Sequence, residues 1–420
     1  MLSRADNELL TQTNAGTPMG DYIRRFWLPV AVASEIAEPD CDPVRVRLLG
    51  EDLVLFRDTE GRIGLLDELC PHRLASLYFG RNEACGIRCI YHGWKFDVTG
   101  ACLDMPNEPP SSNFKHKVRA KAYPTRERGG VVWAYMGPPE KRPDFPAFEW
   151  LDVPSSHLYA SRWQMDCNFV QAMEGEMDTS HVGFLHSRVD KLADNKMALT
   201  GAFFHEDRVP KFHIERTAYG MIAAGRRIVE GDKAFWRMNQ FLLPFYTMIP
   251  PVEGNPLLTR AWIPRDDESS WVICVTFRPD RPLGNQEVAD WRAGVTSHRE
   301  VVPGTTRPRA NRDNEYLIDR RKQRTTLFSG IEGVRNQDAC VTESPGPIVD
   351  RTREHLGVSD SAVIQMRKAM MEGARALQEG REPEPAQQGE LYRIRAGYAV
   401  IPLDMPYEAS AEIRASMLVP

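Results

Sequence analysis

Alternation of apolar and polar positions marks the first third of the chain as β-rich. Two runs, VRVRLLG (44–50) and LVLFRD (53–58), are apolar or β-branched and are separated by a two-residue polar turn. The segment GRIGLLDE adds a further turn and strand, and the alternation continues to GGVVWAYMG (129–137). Short runs bounded by turn residues are typical of antiparallel strands. The pattern therefore predicts a compact antiparallel β unit.

The pattern changes after residues 137–147, GPPEKRPDFPA, a segment with four prolines and several charges. Polar, proline-rich segments are typical of domain boundaries. Beyond it, apolar spacing predicts a helix at about 167–186, long strands within 233–249 and 270–279, and helical material from about 286. Helix-forming residues with a glycine stop predict a terminal helix at 359–380.

These elements predict an α+β fold of two main domains, because 420 residues exceed what one ordinary core holds. We expect residues 1–40 to form an N-terminal segment with a helix around Asp21–Phe26 that packs on the larger domain. Residues 41–140 are expected to form an all-β domain. Residues 147–420 are expected to form the larger, mixed domain.

Charge and composition exclude several classes of protein. The net charge of −5 comes without a basic cluster, so neither nucleic acid nor anionic lipid is an expected partner. No apolar run approaches the roughly 18–20 residues of a membrane span, and the N-terminus lacks the pattern of a secretory leader. The eight cysteines are scattered rather than dense. We expect a cytoplasmic protein in which most cysteines are buried thiols.

Two pairs of cysteine and histidine form the most specific motif. Cys70-Pro-His72 is followed after sixteen residues by Cys89-Ile-Tyr-His92. Two thiolates and two imidazoles are the ligands of a [2Fe–2S] cluster in which histidines replace two cysteines on one iron, which raises the reduction potential. A Cys₂His₂ zinc site uses the same ligand types. Zinc fingers, however, pair two cysteines and then two histidines on a helix, so the cluster is favoured.

A second set of metal-binding side chains contains Asp178, His181 and His186. Two histidines and one carboxylate on one face of an octahedron bind Fe(II) and leave positions open for O₂ and substrate. In an ideal α-helix, residues five apart point about 140° away from each other. We therefore predict a π-bulge or a broken helix between His181 and His186. Two exposed or capping histidines are the alternative, which the cysteine and histidine motif in the same chain disfavours.

Both motifs, together with GTPMGDYIRRFWLPV, GGVVWAYMGPPE and NQFLLPFYTMIP, resemble the oxygenase subunit of Rieske non-haem iron oxygenases, especially the phthalate 4,5-dioxygenase group. The resemblance implies an all-β Rieske domain followed by a catalytic domain in which helices cover a large antiparallel sheet, a helix-grip-like fold. It implies homotrimers or stacked trimers. It also implies that NADH and FMN act only through a separate reductase with a ferredoxin domain, in accord with the lack of a GxGxxG motif.

The resemblance assigns a role to Asp178, which is expected to link His92 of one subunit to His181 of its neighbour. A carboxylate that accepts an imidazole N–H fixes the orientation of that ligand and provides a short route for an electron. The third iron ligand must be a downstream acid. Residues 335–344 resemble the third-ligand helix of the family, and Asp338 is the predicted ligand, with Glu343 and Asp350 as alternatives.

The sequence specifies the substrate contacts less well than the metal ligands. Asn168 and Glu174 are expected near the iron as substrate contacts, or else as a helix cap and a structural polar residue. A carboxylated aromatic substrate such as phthalate would pair with an arginine through two hydrogen bonds. The candidate arginines are Arg208, Arg216, Arg226, Arg227 and Arg237, of which Arg237 is taken as the substrate residue.

Two alternative functions stay open from the sequence. One is a Rieske monooxygenase that removes O-methyl groups from an aromatic acid or cleaves its diaryl ether. The other belongs to a different class and is a Rieske electron-transfer protein without oxygenase activity. The presence of Asp178, His181 and His186 argues against the second alternative.

Overall fold

The N-terminal residues form two short helices, α1 (Arg4–Thr11) and α2 (Pro18–Ile23). The computed structural model describes residues 1–190, 203–204, 207–251 and 254–419. The hydroxyl groups of Ser3 and Thr17 cap the two helices by accepting hydrogen bonds from backbone N–H groups in their first turns. Helix α2 begins and ends three residues before the helix expected at Asp21–Phe26, because Thr17 and Pro18 form its start.

The first β region consists of three small antiparallel sheets. Strands β2-β3-β4-β9 and β5-β6-β7-β8 form two four-stranded sheets, and β1-β11-β10 form a three-stranded sheet. The strands are β1 Trp27–Val32, β2 Val44–Leu48, β3 Glu51–Arg57, β4 Ile63–Asp67, β5 Arg81–Glu83, β6 Gly86–Arg88, β7 Lys95–Phe96, β8 Cys102–Asp104, β9 Ala122–Tyr123, β10 Thr125–Arg128 and β11 Val131–Tyr135.

The turn between β2 and β3 lies two residues earlier than the sequence pattern suggested. Leu48 pairs with Glu51, so the turn residues are Leu49 and Gly50 rather than the polar pair at 51–52. Both turn residues have positive φ, 49° and 81°. Tight hairpin turns of this kind require positive φ at both central positions, which a glycine adopts without strain. Gly50 therefore determines where the turn between β2 and β3 lies.

The second β region is one large antiparallel sheet of eight strands, in the order β12-β18-β17-β16-β15-β14-β13, with β19 paired to β15. The strands are β12 Leu158–Met165, β13 Lys211–Thr217, β14 Gly220–Val229, β15 Lys233–Leu242, β16 Tyr246–Met248, β17 Leu257–Pro264, β18 Ser270–Phe277 and β19 Gly397–Pro402. Among the described residues, the helices of this region are α3 Phe169–Met177, α4 Asn285–Arg292, α5 Arg320–Thr325, α6 Val334–Glu343, α7 Ser361–Gln378, α8 Glu384–Gln387 and α9 Ala411–Met417.

The two β regions share one apolar core. Buried side chains of the three-stranded sheet, such as Leu28 and Trp133, belong to the same cluster as Trp163 and Trp262 of the large sheet. A separate, smaller cluster lies around Cys70, Cys89 and the strands near them. The expected α+β fold, with an all-β N-terminal region and a large helix-covered sheet, is confirmed.

Helix α3 is shorter than predicted. Asp178 ends it with an extended backbone (φ −79°, ψ 113°), and a separate short 3₁₀ turn spans His181–Gly183. The Asp178 carboxylate accepts hydrogen bonds from the backbone N–H of Ser180 (2.6 Å) and His181 (3.3 Å), and such bonds compete with continuation of a helix. The prediction of one helix over 167–186 is therefore wrong beyond Met177. The chain between the two histidines is a turn and not a π-bulge.

Helices α1, α2 and α3 pack against α7, and α3 also packs against α6 and the large sheet. Among the described residues, no helix combines the length and the apolar character needed to cross a membrane.

Asn168 fixes the start of α3. Its side-chain oxygen accepts from the N–H of Val170 (3.1 Å), and its amide nitrogen donates to the carbonyls of Thr11 (2.9 Å) and Asp267 (2.7 Å). Asn168→Ala removes this cap and leaves buried carbonyl groups without donors, which is expected to destabilise the fold by about 2–4 kcal/mol. Calorimetry would show a lower Tm. The exposed Asn113, whose side chain caps nothing, provides the control Asn113→Ala; an equal Tm in the two variants would contradict the assigned role.

Candidate metal centres

The cysteine and histidine pairs lie on two loops with the same backbone frame. The N–H of Leu74 donates to the Cys70 carbonyl (2.9 Å), and the N–H of Gly93 donates to the Cys89 carbonyl (3.0 Å). Leu74 and Gly93 occupy equivalent positions, and both have positive φ, 59° and 77°. The Cys70 and Cys89 loops therefore turn in the same way, and their side chains face one another.

The side chains on these loops fit a Rieske cluster. The rings of His72 and His92 lie 4.4 Å apart, and Trp94 stacks on His72 at 4.2 Å. The Nδ1 atoms of both histidines are buried without a hydrogen-bond partner. Buried polar atoms are rarely left unpartnered, so these nitrogens require a ligand. Burial raises the pKa of the Cys70 thiol to about 11, and a thiolate at neutral pH there requires a neighbouring cation.

The second candidate centre brings together three donor atoms from distant parts of the chain. His181 Nε2 lies 3.2 Å from His186 Nε2, and Asp338 Oδ1 lies 3.5 and 3.2 Å from these two nitrogens. Donor atoms on one octahedral face, with bonds of about 2.1 Å, lie about 3 Å apart. The three atoms therefore have the spacing of a facial set of ligands. Helix α6 supplies Asp338, and the turn after α3 supplies the histidines.

Hydrogen bonds on the far side of each ring orient the two histidines. Gln337 donates from its amide nitrogen to the carbonyl of Ile331 (2.8 Å), so its oxygen faces His186 Nδ1 at 2.6 Å and accepts from it. The Asp178 carboxylate lies 3.3 Å from His181 Nδ1. With both protons on Nδ1, two nitrogen lone pairs face a carboxylate oxygen, an arrangement that only a cation stabilises. The donor set therefore fits Fe(II).

The second oxygen of Asp338 belongs to a buried chain of charges. Arg335 Nη2 lies 2.8 Å from Asp338 Oδ2, and the same guanidinium contacts Glu176. Glu176 in turn receives Arg260 Nη1 at 2.8 Å. Burial alone would raise the pKa of Asp338, but the charges of Arg335 and His186 hold it well below its ordinary value. The charges around Asp338 thus favour its carboxylate form.

Asp178 lies beside the iron residues and remains accessible from outside. A recess of about 270 Å³ is lined in part by Asp178, His181 and Asp338. Burial by itself raises the pKa of Asp178, but hydrogen bonds from His181 and from Ser180 lower it to about 2. Among the described residues of this chain, no hydrogen bond joins Asp178 to His92. The recess leaves one side of the carboxylate open to a partner.

Two residues expected to contact substrate have structural roles instead. The Asn168 amide is fully engaged as the cap of α3, and its side chain is inaccessible. Glu174 lines the recess beside Asp178, but its carboxylate is held by Arg351 (3.0 Å) and Arg367 (2.7 Å). For both residues the structure therefore favours the alternative role over contact with substrate, a helix cap for Asn168 and a structural ion pair for Glu174.

The two alternative candidates for the acidic iron ligand have other hydrogen-bond partners. Glu343 accepts a hydrogen bond from the hydroxyl of Tyr316 (2.6 Å), and Asp350 accepts one from the hydroxyl of Thr352 (2.6 Å). Asp338 is the acid that the structure brings within reach of both histidines.

Arg237 differs from the other candidate arginines. Among the described residues it has no hydrogen bond or ion pair, and its closest recorded partner is the ring of Phe204 at 5.4 Å. Burial lowers its pKa to about 10. The other four candidates have partners or neighbours of their own. Arg227 donates to the Thr179 carbonyl (2.7 Å), and Arg216 donates to Gln365 (3.1 Å). Arg208 lies over the ring of Phe184 (5.1 Å), and Arg226 of β14 lies opposite Lys211 of β13.

Sequence reasoning missed four residues that surround the iron ligands. Gln337 and Arg335 lie within the segment that supplied Asp338, so their proximity in sequence was a usable signal. Glu176 and Arg260 had no such signal, because their contact joins α3 to β17 across 84 residues of sequence.

Comparisons with known proteins agree with this geometry. Residues 26–124 match the family model described as Rieske [2Fe-2S] domain, and residues 134–411 match the one described as LigXa C-terminal domain like. In structure, the chain is similar to dicamba monooxygenase bound to dicamba, with a TM-score of 0.57 and 17% identity over 86% of this chain and 99% of that one. A likeness at that identity concerns the fold.

Three curated relatives cover nearly the whole chain. The 3-chlorobenzoate-3,4-dioxygenase oxygenase subunit of Comamonas testosteroni is 36% identical over 99% of both chains. The phthalate 4,5-dioxygenase oxygenase subunit of Pseudomonas putida is 39% identical over 90% of this chain and 88% of its own. The 5,5'-dehydrodivanillate O-demethylase oxygenase subunit of Sphingobium sp. is 31% identical over 91% of this chain and 83% of its own.

The fold and the paired centres thus define a terminal oxygenase component with an electron-transfer cluster and a separate oxygen-binding iron. The chain belongs to the Rieske non-haem iron oxygenases, among the α-type subunits with a catalytic domain of the LigXa C-terminal type. Its cofactors are a Rieske [2Fe–2S] cluster and a mononuclear Fe(II). The resemblance inferred from the motifs is confirmed.

His186→Ala removes one of the three donors at the second centre and leaves the first intact. We expect the iron content to fall from about three to about two atoms per chain, with an unchanged cluster absorbance. His213→Ala is a matched control, since that exposed imidazole contacts Glu408 (2.9 Å) at a distance from both centres. Unchanged iron content in His186→Ala, or loss of the cluster with the iron, would contradict the assignment.

Proposed function

We propose that this oxygenase subunit oxidises a carboxylated aromatic compound, such as phthalate, by dihydroxylation. The observation that carries the proposal is the half-buried Arg237, which has no ion-pair partner among the described residues and lies beside the charged residues that surround the iron ligands. We further propose that Cys70, His72, Cys89 and His92 hold the cluster and that His181, His186 and Asp338 hold the iron. The cytoplasm is the proposed compartment, where a reductase has access to NADH.

The charge balance around the iron ligands supports an anionic substrate. Three positive charges are carried by Arg237, Arg260 and Arg335, and three negative ones by Glu176, Asp338 and Asp178. An Fe(II) ion adds two further positive charges. A buried excess of positive charge is costly unless an anion compensates it. A substrate carboxylate would supply that anion.

The position of Arg237 on β15 supports the same conclusion. Side chains two residues apart on a strand share a face, so Arg237 and Asn239 lie on the same side of the sheet. Asn239 donates to the carbonyl of Glu176 (2.7 Å), which shows that this side faces α3. Arg237 thus lies on the α3 side of the sheet, with a free guanidinium that can bind a carboxylate through two hydrogen bonds.

The bound groups supply electrons and activate O₂, while the protein orients the reactants and excludes water. Gln337 and Asp178 keep the imidazole protons on Nδ1, so that both Nε2 atoms remain available to the metal. Arg237 binds the carboxylate of the substrate. Electrons come from a separate flavin and ferredoxin-domain reductase, which the chain requires because it carries no nucleotide-binding glycine motif.

A homotrimer, single or stacked, is the proposed assembly. The Asp178 carboxylate opens onto a recess at the surface, and His92 lies on a loop whose neighbours Ile90 and Tyr91 are exposed by 63% and 53%. Apolar exposed tips of this kind are typical of surfaces that are covered by a partner. We propose that His92 of one subunit docks against Asp178 of the next, which gives the electron a short hydrogen-bonded route.

Arg237→Gln is expected to raise the KM for phthalate or a benzoate by about 10- to 100-fold, because a hydrogen-bonded charge pair is lost. Steady-state oxygen uptake with a reductase measures it. Arg216→Gln, an exposed arginine of the outermost strand, serves as the control. An equal KM in wild type and Arg237→Gln would contradict the carboxylate role. An equal rise in the KM for a neutral aromatic amide would also contradict it.

Asp178→Asn is expected to retain both metal centres and to slow turnover severely. The amide keeps the shape of the side chain but loses the charge that holds the imidazole N–H on each side. Iron content and the cluster spectrum check retention, and stopped-flow oxidation of the reduced cluster checks the transfer. Wild-type transfer rates in this variant would show that the electron takes another route.

O-demethylation or diaryl-ether cleavage is the second candidate, supported by the O-demethylase among the relatives. Product analysis separates the two. A cis-dihydrodiol from phthalate or a benzoate supports dihydroxylation, whereas formaldehyde from a methoxylated acid supports demethylation. Cluster reduction without oxygen uptake for any of these acids would favour an electron-transfer protein instead.

A further inference from the structure

The last turns of α3 carry two acids, the half-buried Glu174 and the buried Glu176, that are held in the same manner. Each carboxylate is bracketed by two guanidinium groups from other parts of the chain. The pairs are Glu174 with Arg351 and Arg367, and Glu176 with Arg260 and Arg335. Both acids link α3 to other parts of the chain, but the arginines that pair with them differ in their further contacts.

Only the Glu176 pair reaches the iron ligands. Arg260 already neutralises Glu176, since its Nη1 lies 2.8 Å from both carboxylate oxygens and its Nη2 donates to the carbonyl of Ser297 (3.1 Å). The charge of Arg335 is therefore left to be balanced by Asp338, whose Oδ2 lies 2.8 Å from Arg335 Nη2. Positive and negative side chains therefore alternate in the contact series from Arg260 through Glu176 and Arg335 to Asp338.

This arrangement determines which oxygen of Asp338 faces the histidines. The torsion that rotates a carboxylate about its last bond has broad, shallow preferences, so the group needs a partner to fix it. Arg335 forms an ion pair with Oδ2, and Oδ1 then faces His181 and His186 at 3.5 and 3.2 Å. Arg335 is itself fixed on its other side by Glu176. The carboxylate thus has a single supported orientation.

We propose that Glu176 is a positioning residue for the iron centre, acting through Arg335 to hold Oδ2 of Asp338 so that Oδ1 faces the metal. This inference rests on the proposed set of iron ligands. Glu176 touches none of those ligands itself, and nothing in its own position two residues before Asp178 would indicate the role.

Variants of the chain test the proposal through metal binding. Glu176→Gln and Arg335→Gln are each expected to lower the affinity for Fe(II) by about 10- to 100-fold, measured as equilibrium release of ferrous iron to a chelator. The double variant is expected to bind iron no more weakly than Arg335→Gln alone, because the two residues act in series. Losses that multiply in the double variant would overturn the proposal.

Glu174→Gln is the matched control, since it removes the equivalent acid of the same helix and likewise takes one acidic partner from each of two arginines. We expect it to lower the Tm as Glu176→Gln does, but to retain the iron affinity. An equal loss of iron in Glu174→Gln would show that Glu176 merely stabilises α3.

Arg335→Lys keeps the buried charge and is expected to fold, but an ammonium group cannot contact both carboxylates as a guanidinium does. With nitric oxide as the probe of the ferrous site, its EPR spectrum is expected to differ from that of wild type. An identical spectrum would overturn the proposal. Retention of iron in His186→Ala would overturn the ligand set, whereas loss there with retention in Glu176→Gln would overturn only this inference.

Discussion

The end of helix α3 at Met177 is the constraint on which the iron centre depends. Asp178 leaves the helical conformation, and its carboxylate binds the backbone of the turn that follows. His181 and His186 can then face the same point, which an unbroken helix forbids because residues five apart diverge by about 140°. The same carboxylate orients the His181 ring. One side chain therefore ends the helix, shapes the turn and fixes a ligand.

Buried charge is the second organising feature. Alternating carboxylates and guanidinium groups fasten α3 to β17, α6 and α7, and each buried acid has two partners. Buried ion pairs contribute little net stability, but removing one partner leaves a costly unpaired charge. Their contribution here is geometric, since Arg335 pairs with Asp338 beside the two histidines, while Arg237 has no ion-pair partner among the described residues. We propose that the paired network positions the metal and that Arg237 is available to a substrate.

The sequence predicted more of the chemistry than of the geometry. Spacing and ligand type predicted Cys70, His72, Cys89 and His92 as the cluster ligands, because such motifs are local. Helical geometry also indicated that His181 and His186 could not lie on one unbroken helix, although it did not locate the end of α3 at Met177. The turn at Gly50 was displaced because apolar Leu49 resembled a strand residue. The choice between a helix cap and a substrate contact stayed open for Asn168 because its partners, Thr11 and Asp267, are remote in sequence. Glu176 and Arg260 were missed for the same reason: tertiary contacts, not patterns, determine their roles.

The central claim is that one polypeptide stores an electron at one centre and uses it at another to oxidise a bound aromatic acid. A single-turnover experiment tests it most directly. The subunit is reduced, freed of reductant and mixed with phthalate or a benzoate and ¹⁸O₂ in the absence of any reductase. The account predicts oxidation of the cluster together with ¹⁸O-labelled organic product. Oxidation of the cluster without labelled product from any aromatic acid would contradict it.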